Sequence, residues 1–414
     1  MNNFIIFSII YILVFSGYYV TTGFLNIMYP NYGFWSFVIF YSTYAISNLF
    51  APYMISKFPF RVIFCISTFT FLIFIGFSSS YMPVLLLIGS AISGFGNGFI
   101  WLIQGIYLSS FENNSSEYQH MGLFYSLFNI NMIFGNLIGL IVLLTGASIQ
   151  IMIFTMIGIS SIGVFLTIFV SDDNIQNQNS NSEIKEINFI SDIKNVFLIS
   201  VYNKYYLLIP CMIYSSIGLN ITYQIIPRLL ISNTEGDLQI KAIYNAAIYI
   251  AYGLSAMGFS ILWGKLFVSS EKGWKYVIYS YSILEILCLV GILTLAKFNT
   301  QQGYWIIIGV VRGCIDYGIN NLINITLSNF ASSEMTCKES DKTKYLFALY
   351  RLIYSVSYLL GAISVGYLSY EYVLLIDGSI CILSTISYTF YQLSNTKKNN
   401  LTIEKQFDKT CIDV

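Results

Sequence analysis

Twelve long apolar stretches, separated mostly by short polar connections, fill almost all of this 414-residue sequence. A helix needs roughly 20 apolar residues to cross the hydrocarbon core of a bilayer. Hydrophobic residues make up 56% of the chain and charged residues only 10%, whereas a soluble domain carries about a quarter charged residues. The sequence therefore predicts an all-α membrane protein. Its twelve transmembrane spans are expected near residues 4–28, 34–55, 62–80, 83–108, 121–145, 149–170, 205–230, 241–268, 275–298, 303–330, 344–368 and 371–393.

Positive charge is distributed unevenly between the two sides that these spans define. Of the 20 lysines and arginines, 15 fall in the even-to-odd connections and the tail, 3 on the opposite side, and 2, Arg312 and Arg351, inside spans. Loops rich in Lys and Arg stay on the cytosolic side during membrane insertion. The bias predicts a multi-pass integral membrane protein with both termini in the cytosol, and it does not distinguish the plasma membrane from an endomembrane.

One long connection divides the spans into two groups of six. Residues 171–204 begin with a polar run of low complexity, which is typical of a linker. Its second half places apolar residues at helical spacing, which predicts a short amphipathic helix on the cytosolic membrane surface; these are Ile187, Ile190, Ile193 and Phe197. We expect a first six-helix half over 1–170, the linker over 171–204, a second half over 205–393 and a cytosolic tail over 394–414.

The fourth and tenth spans resemble each other at an offset of 219 residues. Gly94 aligns with Gly313 and Asn97 with Asp316, and the Leu-Ser-Ser-Phe run that ends at Phe111 aligns with a Leu-Ser-Asn-Phe run. A parallel repeat of two six-span halves places equivalent helices at this offset. The span count, charge bias and repeat together favour the major facilitator fold.

Two sequence runs are more specific. The fourth span contains a Trp-Leu-Ile-Gln-Gly-Ile-Tyr-Leu-Ser run over 101–109, and the fifth contains Gly-Asn-Leu-Ile over 135–138. Both resemble the uncoordinated-93-like family, a branch of the major facilitator superfamily. The resemblance implies regulation of potassium channels, escort of other membrane proteins, or transport of a solute. Two features depart from the expected pattern: Asn129 stands where Gln is expected, and the loop over 57–61 lacks the Gly and Asp of the superfamily's signature.

The tenth span carries a polar stripe. Four polar or charged residues recur every four positions and so share one face of the helix; they are Arg312, Asp316, Asn320 and Asn324. An Arg–Asp pair at this spacing can neutralise itself within the helix. The stripe fits two interpretations, a lining of the cavity between the halves or a hydrogen-bonding seam between helices.

Two acidic residues lie inside other spans of the second half. Glu285 is in the middle of the ninth span, and Asp377 lies a third of the way along the twelfth. Ionisable groups within a membrane are costly and require a partner or a wet cavity. Both residues are therefore candidates for proton coupling; the alternatives are a charge partner such as Arg312 or Arg351, or a polar seam between helices.

Further candidates for the cavity are uncharged. They lie on the first, fourth and seventh spans, and their helical spacing places them on faces that can point inward; they are Tyr18, Thr22, Asn97, Trp101, Gln104, Asn220 and Gln224. For Asn97, Trp101 and Gln104, core hydrogen bonding is an equally good interpretation.

Composition also narrows the function. A single histidine and seven scattered cysteines predict no metal site, no nucleotide-binding or nucleophile motif indicates a cofactor or an enzyme, and no basic patch indicates nucleic-acid binding. Besides the lipid bilayer, the expected partner is an ion channel or another membrane protein, or else a small solute. We favour a regulator of channels or of membrane-protein trafficking, because the loop signature is degraded and the spans of the first half are uncharged. The alternative is a secondary active transporter that moves a small solute or ion by alternating access.

Overall fold

The computed structural model of this chain describes residues 2–109, 117–170, 189–201, 204–233, 238–269, 273–298, 303–334 and 341–412. Across these residues all regular secondary structure is helical, and 12 helices are long and apolar enough to cross a membrane. The prediction of an all-α membrane fold with twelve spans is confirmed. We number these helices span 1 to span 12.

The first six spans are, in order, Asn2–Met28, Gly33–Lys57, Phe60–Ser78, Pro83–Ser109, the broken helix Glu117–Phe128 with Ile130–Leu144, and Ile149–Leu166. Local chemistry sets several of their starts. Span 4 begins at Pro83, whose fixed φ suits the first helical position and whose missing N–H is not needed there. At the start of span 6, the Ser148 hydroxyl accepts a hydrogen bond from the Ile151 amide, as a good N-cap does.

Span 7 is composite: a 3₁₀ turn at Tyr205–Leu208, the α-helix Ile209–Asn220, a π-helical turn at Ile221–Ile225 and the helix Ile226–Asn233. The remaining spans are Leu238–Ser269, Gly273–Phe298, Tyr304–Glu334, Asp341–Tyr367 and Tyr370–Ile412. Turns of π-helix are rare and frequently mark functional positions. The one in span 7 lies near the middle of the membrane-spanning stretch.

The two halves use the same packing plan. In the first half span 4 packs against spans 2 and 3, and span 1 against span 6; in the second half span 10 packs against spans 8 and 9, and span 7 against span 12. The halves meet along two lines, span 2 against span 11 and span 5 against span 8. The prediction of two six-helix halves is confirmed.

Two aligned glycines explain part of this symmetry. A Cβ on Gly94 would stand 2.1 Å from the Phe40 carbonyl oxygen of span 2, and a Cβ on Gly313 would stand 2.2 Å from the Tyr252 carbonyl oxygen of span 8. Only a residue without a side chain allows the helix backbones to approach so closely. The two glycines therefore set the same helix contact in both halves.

Large apolar side chains cover the outside of the bundle. Exposed examples occur on spans of both halves, among them Ile66, Val84, Leu287 and Leu375. A soluble monomer rarely exposes continuous apolar surface on this scale. The surface is suited to the hydrocarbon core of a lipid bilayer.

The connection between the halves contains the helix Phe189–Leu198. Its inner side packs on spans 2 and 11: the Phe189 ring lies 5.0 Å from that of Phe50, and Asp192 accepts a hydrogen bond from the Tyr345 hydroxyl. Ile190 and Phe197 are exposed. The predicted helix thus binds the bundle through one aromatic and one polar contact and leaves Ile190 and Phe197 outward. Ile187 lies outside the described residues.

The glycine contacts generate a stability prediction. We expect Gly94→Ala and Gly313→Ala each to destabilise the protein by about 1–3 kcal/mol, the usual cost of overpacking, because a carbonyl oxygen of a helix backbone cannot move aside as a side chain can. Thermal unfolding of the purified protein in detergent would measure this. Gly158 and Gly258 have no atom within 4 Å of an added Cβ, so their alanine variants are matched controls. Equal stability of all four variants would contradict the packing argument.

Candidate functional site

A buried cluster of charged residues occupies the interior of the second half. At its centre is Arg312 of span 10, which is fully buried. Its Nη1 lies 2.8 Å and 2.7 Å from the two carboxylate oxygens of Glu285 on span 9. Its Nη2 lies 2.5 Å from Asp316 Oδ1, one turn along the same helix. The guanidinium thus forms ion pairs with two carboxylates at once.

Span 7 supplies further partners to this cluster. Arg312 Nη2 donates to the Gly218 carbonyl at 2.6 Å, and Nε donates to the Thr222 hydroxyl at 3.1 Å. That hydroxyl in turn donates to Asp316 Oδ2 at 2.9 Å. Thr222 lies within the π-helical turn, so the irregular part of span 7 is hydrogen-bonded directly to the charged residues.

Two tyrosines complete the hydrogen bonding of the carboxylates. The Tyr214 hydroxyl donates to Glu285 at 2.7 Å, and the Tyr252 hydroxyl donates to Asp316 at 3.1 Å. Hydrogen bonds to ionised acceptors are among the stronger ones in proteins. Glu285 and Asp316 are therefore well satisfied as carboxylates.

Asp377 of span 12 is the exception. It is fully buried, yet neither of its carboxyl oxygens makes a hydrogen bond. Its Oδ1 lies 3.7 Å from where a Cβ on Gly218 would stand, as does Asp316 Oδ1, and Glu285 is a neighbouring carboxyl group. It therefore borders the same cluster without a donor of its own.

The cluster contains more acidic groups than basic ones. Three carboxyl groups surround one guanidinium, so full ionisation would leave two negative charges without a counter-charge in a buried site. Isolated buried charges are very unfavourable, and such groups bind or release protons instead. Within the described residues Asp377 lacks donors, so of the three carboxyl groups it is the one with the least compensation for a negative charge.

A separate cavity of about 60 Å³ lies between the two halves. Its lining comes from spans 1, 2, 4, 5, 7, 10 and 11 and is mostly aromatic; the residues are Phe15, Tyr18, Tyr19, Tyr41, Asn97, Trp101, Tyr125, Phe128, Leu219, Tyr223, Tyr317, Asn320, Arg351 and Tyr354. A cavity of this size holds a few water molecules when polar groups face it. Its polar groups are side-chain amides, tyrosine hydroxyls and one guanidinium.

That guanidinium belongs to Arg351 of span 11. It lies 4.7 Å from the ring centres of Trp101 and of Tyr350, within the range of cation–π attraction. Its Nη2 makes two long hydrogen bonds, 3.4 Å to Gln104 and 3.5 Å to Tyr125. Three of these partners, Trp101, Gln104 and Tyr125, belong to the first half. Arg351 therefore connects the two halves across the cavity.

The structure divides the predicted polar stripe of span 10. Arg312 and Asp316 lie in the charged cluster rather than the cavity, and only Asn320 lines the cavity, where its side-chain oxygen accepts a hydrogen bond from Tyr350 at 3.2 Å. Asn324 donates to the Asn320 carbonyl of its own helix. The interpretation as a cavity lining fits Asn320, and the interpretation as a hydrogen-bonding seam between helices fits Arg312 and Asp316.

The other candidates separate in the same way. Tyr18, Asn97 and Trp101 line the cavity, and Gln104 lies behind them as an acceptor for Arg351. The cavity placement is wrong for Thr22, whose hydroxyl bonds to carbonyls of its own helix.

The cavity placement is also wrong for Asn220 and Gln224. They bond to each other at 2.5 Å, and Asn220 donates to the Tyr358 carbonyl at 3.3 Å. A Cβ on Gly361 would stand only 2.4 Å from Asn220 Nδ2. These two residues therefore form a seam between spans 7 and 11.

Sequence reasoning missed most of the cavity lining. Arg351 was recognised only as an intramembrane charge and a partner for acidic residues, although an arginine inside a span is itself a sign of function. An arginine next to Tyr350 in the sequence and one helical turn before Tyr354 is the pattern that indicates an aromatic site around a cation. The remaining tyrosines come together only when both halves are assembled.

Two six-span halves that meet around a central cavity define a twelve-span membrane protein of the major facilitator type. The chain belongs to the Major Facilitator Superfamily, whose family model matches residues 7–339. Among solved structures it is similar to the crystal structure of nucleoside transporter NupG, with a TM-score of 0.61 and 15% sequence identity over 94% of this chain and 98% of that one. At this identity the likeness shows the fold. No curated protein matches the sequence.

The charged cluster generates the next prediction. Arg312→Gln removes the cation that, within the described part of the chain, pairs with both Glu285 and Asp316, and we expect a loss of about 3–5 kcal/mol, as for a broken buried ion pair. Lowering the pH should recover part of this stability, because protonation then removes the unpaired negative charges. Thermal unfolding in detergent across a range of pH would measure both effects.

Arg228→Gln is the matched control for this variant. Arg228 is exposed near the end of span 7 and makes one hydrogen bond, 3.1 Å to the Val365 carbonyl. A surface substitution of this kind usually changes stability by less than about 0.5 kcal/mol. Equal stability of the two variants would contradict a central role for Arg312.

Proposed function

We propose that this protein is a secondary active transporter that moves a small solute across the membrane by alternating access, with the central cavity as the binding site. The observation that carries this proposal is the cavity itself, which is lined by both halves. In two-half transporters of parallel repeats, rocking of the halves exposes a fixed site between them to each side in turn. The family and the fold neighbour likewise favour a transporter over an enzyme.

The contacts around the cavity suit such a movement. At the end of the molecule that holds the termini, Lys344 Nζ donates to the Ser56 hydroxyl at 2.9 Å. At the opposite end the Gln239 amide donates to the Leu143 carbonyl at 2.7 Å. Both bonds join the two halves. Each is a polar contact at one end of the bundle, so opening of that end would break it while the helices within each half stay packed.

Among the predicted candidates, Tyr18, Asn97, Trp101 and Asn320 are the residues that we propose to face the solute. They supply ring faces and amide groups from both halves. Arg312, Asp316, Glu285 and Asp377 have a different proposed role, because they lie in the charged cluster rather than in the cavity.

We propose that this cluster couples solute movement to protons. The exchangeable proton resides on Glu285 and Asp377, the pair of carboxyl groups without a full set of counter-charges. Span 7 connects the two sites: Thr222 bonds to Arg312 and Asp316, while the adjacent Tyr223 lines the cavity. A change of charge in the cluster can therefore alter the position of a cavity side chain through one helix turn.

The fold neighbour is a nucleoside transporter, which supports transport as the activity class. The uncoordinated-93-like assignment rests on the runs over 101–109 and 135–138 alone. The expectation that the protein binds an ion channel or another membrane protein depends on that assignment. Because the family match and fold likeness fit transport better, we place transport first and the regulator second. The cytosolic placement of both termini likewise rests on the charge bias alone.

The experiment for transport uses the purified chain reconstituted in lipid vesicles, with a panel of radiolabelled nucleosides, amino acids and short carboxylates. We expect at least one solute to accumulate when a pH gradient is imposed. In a cysteine-free background, a short thiol cross-linker between Asn48→Cys and Ser355→Cys should stop uptake reversibly, because the native side chains are 3.4 Å apart across the halves. Full uptake with the halves cross-linked would contradict alternating access.

Proton coupling has its own test. Asp377→Asn and Glu285→Gln should each reduce pH-driven uptake to the level of empty vesicles while leaving exchange of solute at equal pH on both sides. Each substitution replaces one carboxyl oxygen with an amide nitrogen. Within the described residues neither oxygen of Asp377 accepts a hydrogen bond, so Asp377→Asn is the cleaner test, whereas Glu285→Gln weakens the pair with Arg312 and is checked for folding by thermal unfolding. Glu371→Gln is the matched control, because Glu371 is an exposed carboxylate at the start of the same helix. Unchanged pH-driven uptake in Asp377→Asn would contradict the assignment of the proton site.

A further inference from the structure

Arg351 is a buried cation that pairs with no carboxylate among the residues that the structure describes. Only 4% of its surface is exposed. Both ion pairs found within the described residues belong to Arg312. The Nε–H of Arg351 makes no hydrogen bond, and its two Nη2 bonds are long. The two deeply buried arginines therefore differ: Arg312 is neutralised by carboxylates, whereas Arg351 has no ion pair within the described residues.

Cation–π contacts compensate Arg351 only in part. Trp101 and Tyr350 are 4.7 Å from its guanidinium carbon and Tyr354 is 5.9 Å away. Each such contact contributes on the order of 2 kcal/mol when desolvated, but none of them supplies a counter-charge, and an unpaired charge in a membrane interior is costly. An anionic group that entered the cavity would complete the pairing that the protein leaves open.

We infer that Arg351 binds the carboxylate of a small organic monoanion, and that this anion is the solute which the central cavity carries. This inference rests on the proposed transport function and names the class of its substrate. The carboxylate accepts hydrogen bonds from the guanidinium, including the free Nε–H. The non-polar remainder of the solute contacts the ring faces of the cavity wall.

Two features favour a carboxylate over a spherical ion. A guanidinium presents its donors as a planar fork that matches the two oxygens of a carboxylate. The cavity walls around it are predominantly aromatic, and ring faces suit hydrocarbon better than the hydration shell of a halide.

The volume limits the size of the solute. An apolar cavity of about 150 Å³ accommodates benzene, whereas this cavity measures about 60 Å³. A carboxylate with a two- or three-carbon chain therefore fits its volume better than a ring-bearing anion or a nucleoside. We take propionate as the probe.

A purely structural role for Arg351 is the competing explanation, because it contacts residues of the first half. The two explanations differ in one respect. A structural arginine affects every ligand of the cavity equally, whereas an anion-binding arginine affects charged probes and leaves their neutral isosteres alone. Charge selectivity is therefore the quantity to measure.

The experiment is a titration of the purified full-length chain in detergent at neutral pH, followed by tryptophan fluorescence. Trp101 lies beside the guanidinium and reports on the site. The probes are propionate, its neutral isostere propionamide, and chloride. We expect saturable binding of propionate only, and weaker binding by about tenfold or more in Arg351→Gln, the loss that corresponds to one charge-assisted hydrogen bond. Arg351→Lys should retain selectivity for the anion with intermediate affinity.

Arg228→Gln is the control variant, since Arg228 is an arginine of span 7 outside the cavity, and it should bind propionate as the native chain does. Equal binding of propionate and propionamide, or unchanged propionate binding in Arg351→Gln, would overturn the inference. So would a preference for chloride. If Arg351→Gln fails to fold, the selectivity of the native chain and of Arg351→Lys still decides the matter.

The same titration separates this inference from the proposed function. Uptake of neutral solutes into vesicles without propionate binding would leave transport intact and remove the anion assignment. Selective propionate binding without uptake of any solute would support the anion site and count against transport.

Discussion

The ion pairs of Arg312 hold the second half together. In a membrane interior a guanidinium is tolerated only where carboxylates and hydrogen-bond acceptors surround it, and this one draws partners from spans 7, 9 and 10. The absence of a side chain on Gly218 is part of the arrangement, because a Cβ there would stand 2.8 Å from Arg312 Nη2. The Arg312 guanidinium can therefore reach the Gly218 carbonyl only because residue 218 is a glycine.

The first half is stabilised differently. Its core is a continuous group of aromatic rings: Phe7 stacks with Tyr107 at 4.2 Å and with Phe64 at 5.2 Å, and the Tyr11 hydroxyl donates to the Ile100 carbonyl at 2.6 Å. Such contacts do not respond to protonation near neutral pH. Within the described spans the buried charged residues all belong to the second half, while the cavity between the halves is shared by both.

Sequence reasoning reached the parts of this structure that depend on one helix at a time. Apolar length gave the twelve spans, and a four-residue spacing placed Arg312 beside Asp316. The same reasoning placed Asn220 and Gln224 in the cavity, because it could neither foresee the π-helical turn that begins at Ile221 nor know that Gly361 of span 11 would lie against Asn220.

The central cavity lay beyond such reasoning for a related physical reason. Its wall is assembled from seven spans of two halves, so no spacing within one helix reveals it. Arg351 illustrates the difficulty: its position in a span was evident, but whether it would meet an acid or an open cavity depended on contacts with Trp101 and Tyr125, which are more than two hundred residues away in the chain.

The helix contacts at Gly94 and Gly313 have a consequence for how this sequence can diverge. Added side chains there would meet main-chain carbonyl oxygens, which every amino acid possesses, so no change at Phe40 or Tyr252 can relieve the clash. At Gly105 the nearest atoms belong instead to the Phe347 ring, which a smaller residue could replace. Relatives should therefore keep the first two glycines independently of their neighbours, whereas positions 105 and 347 are free to covary.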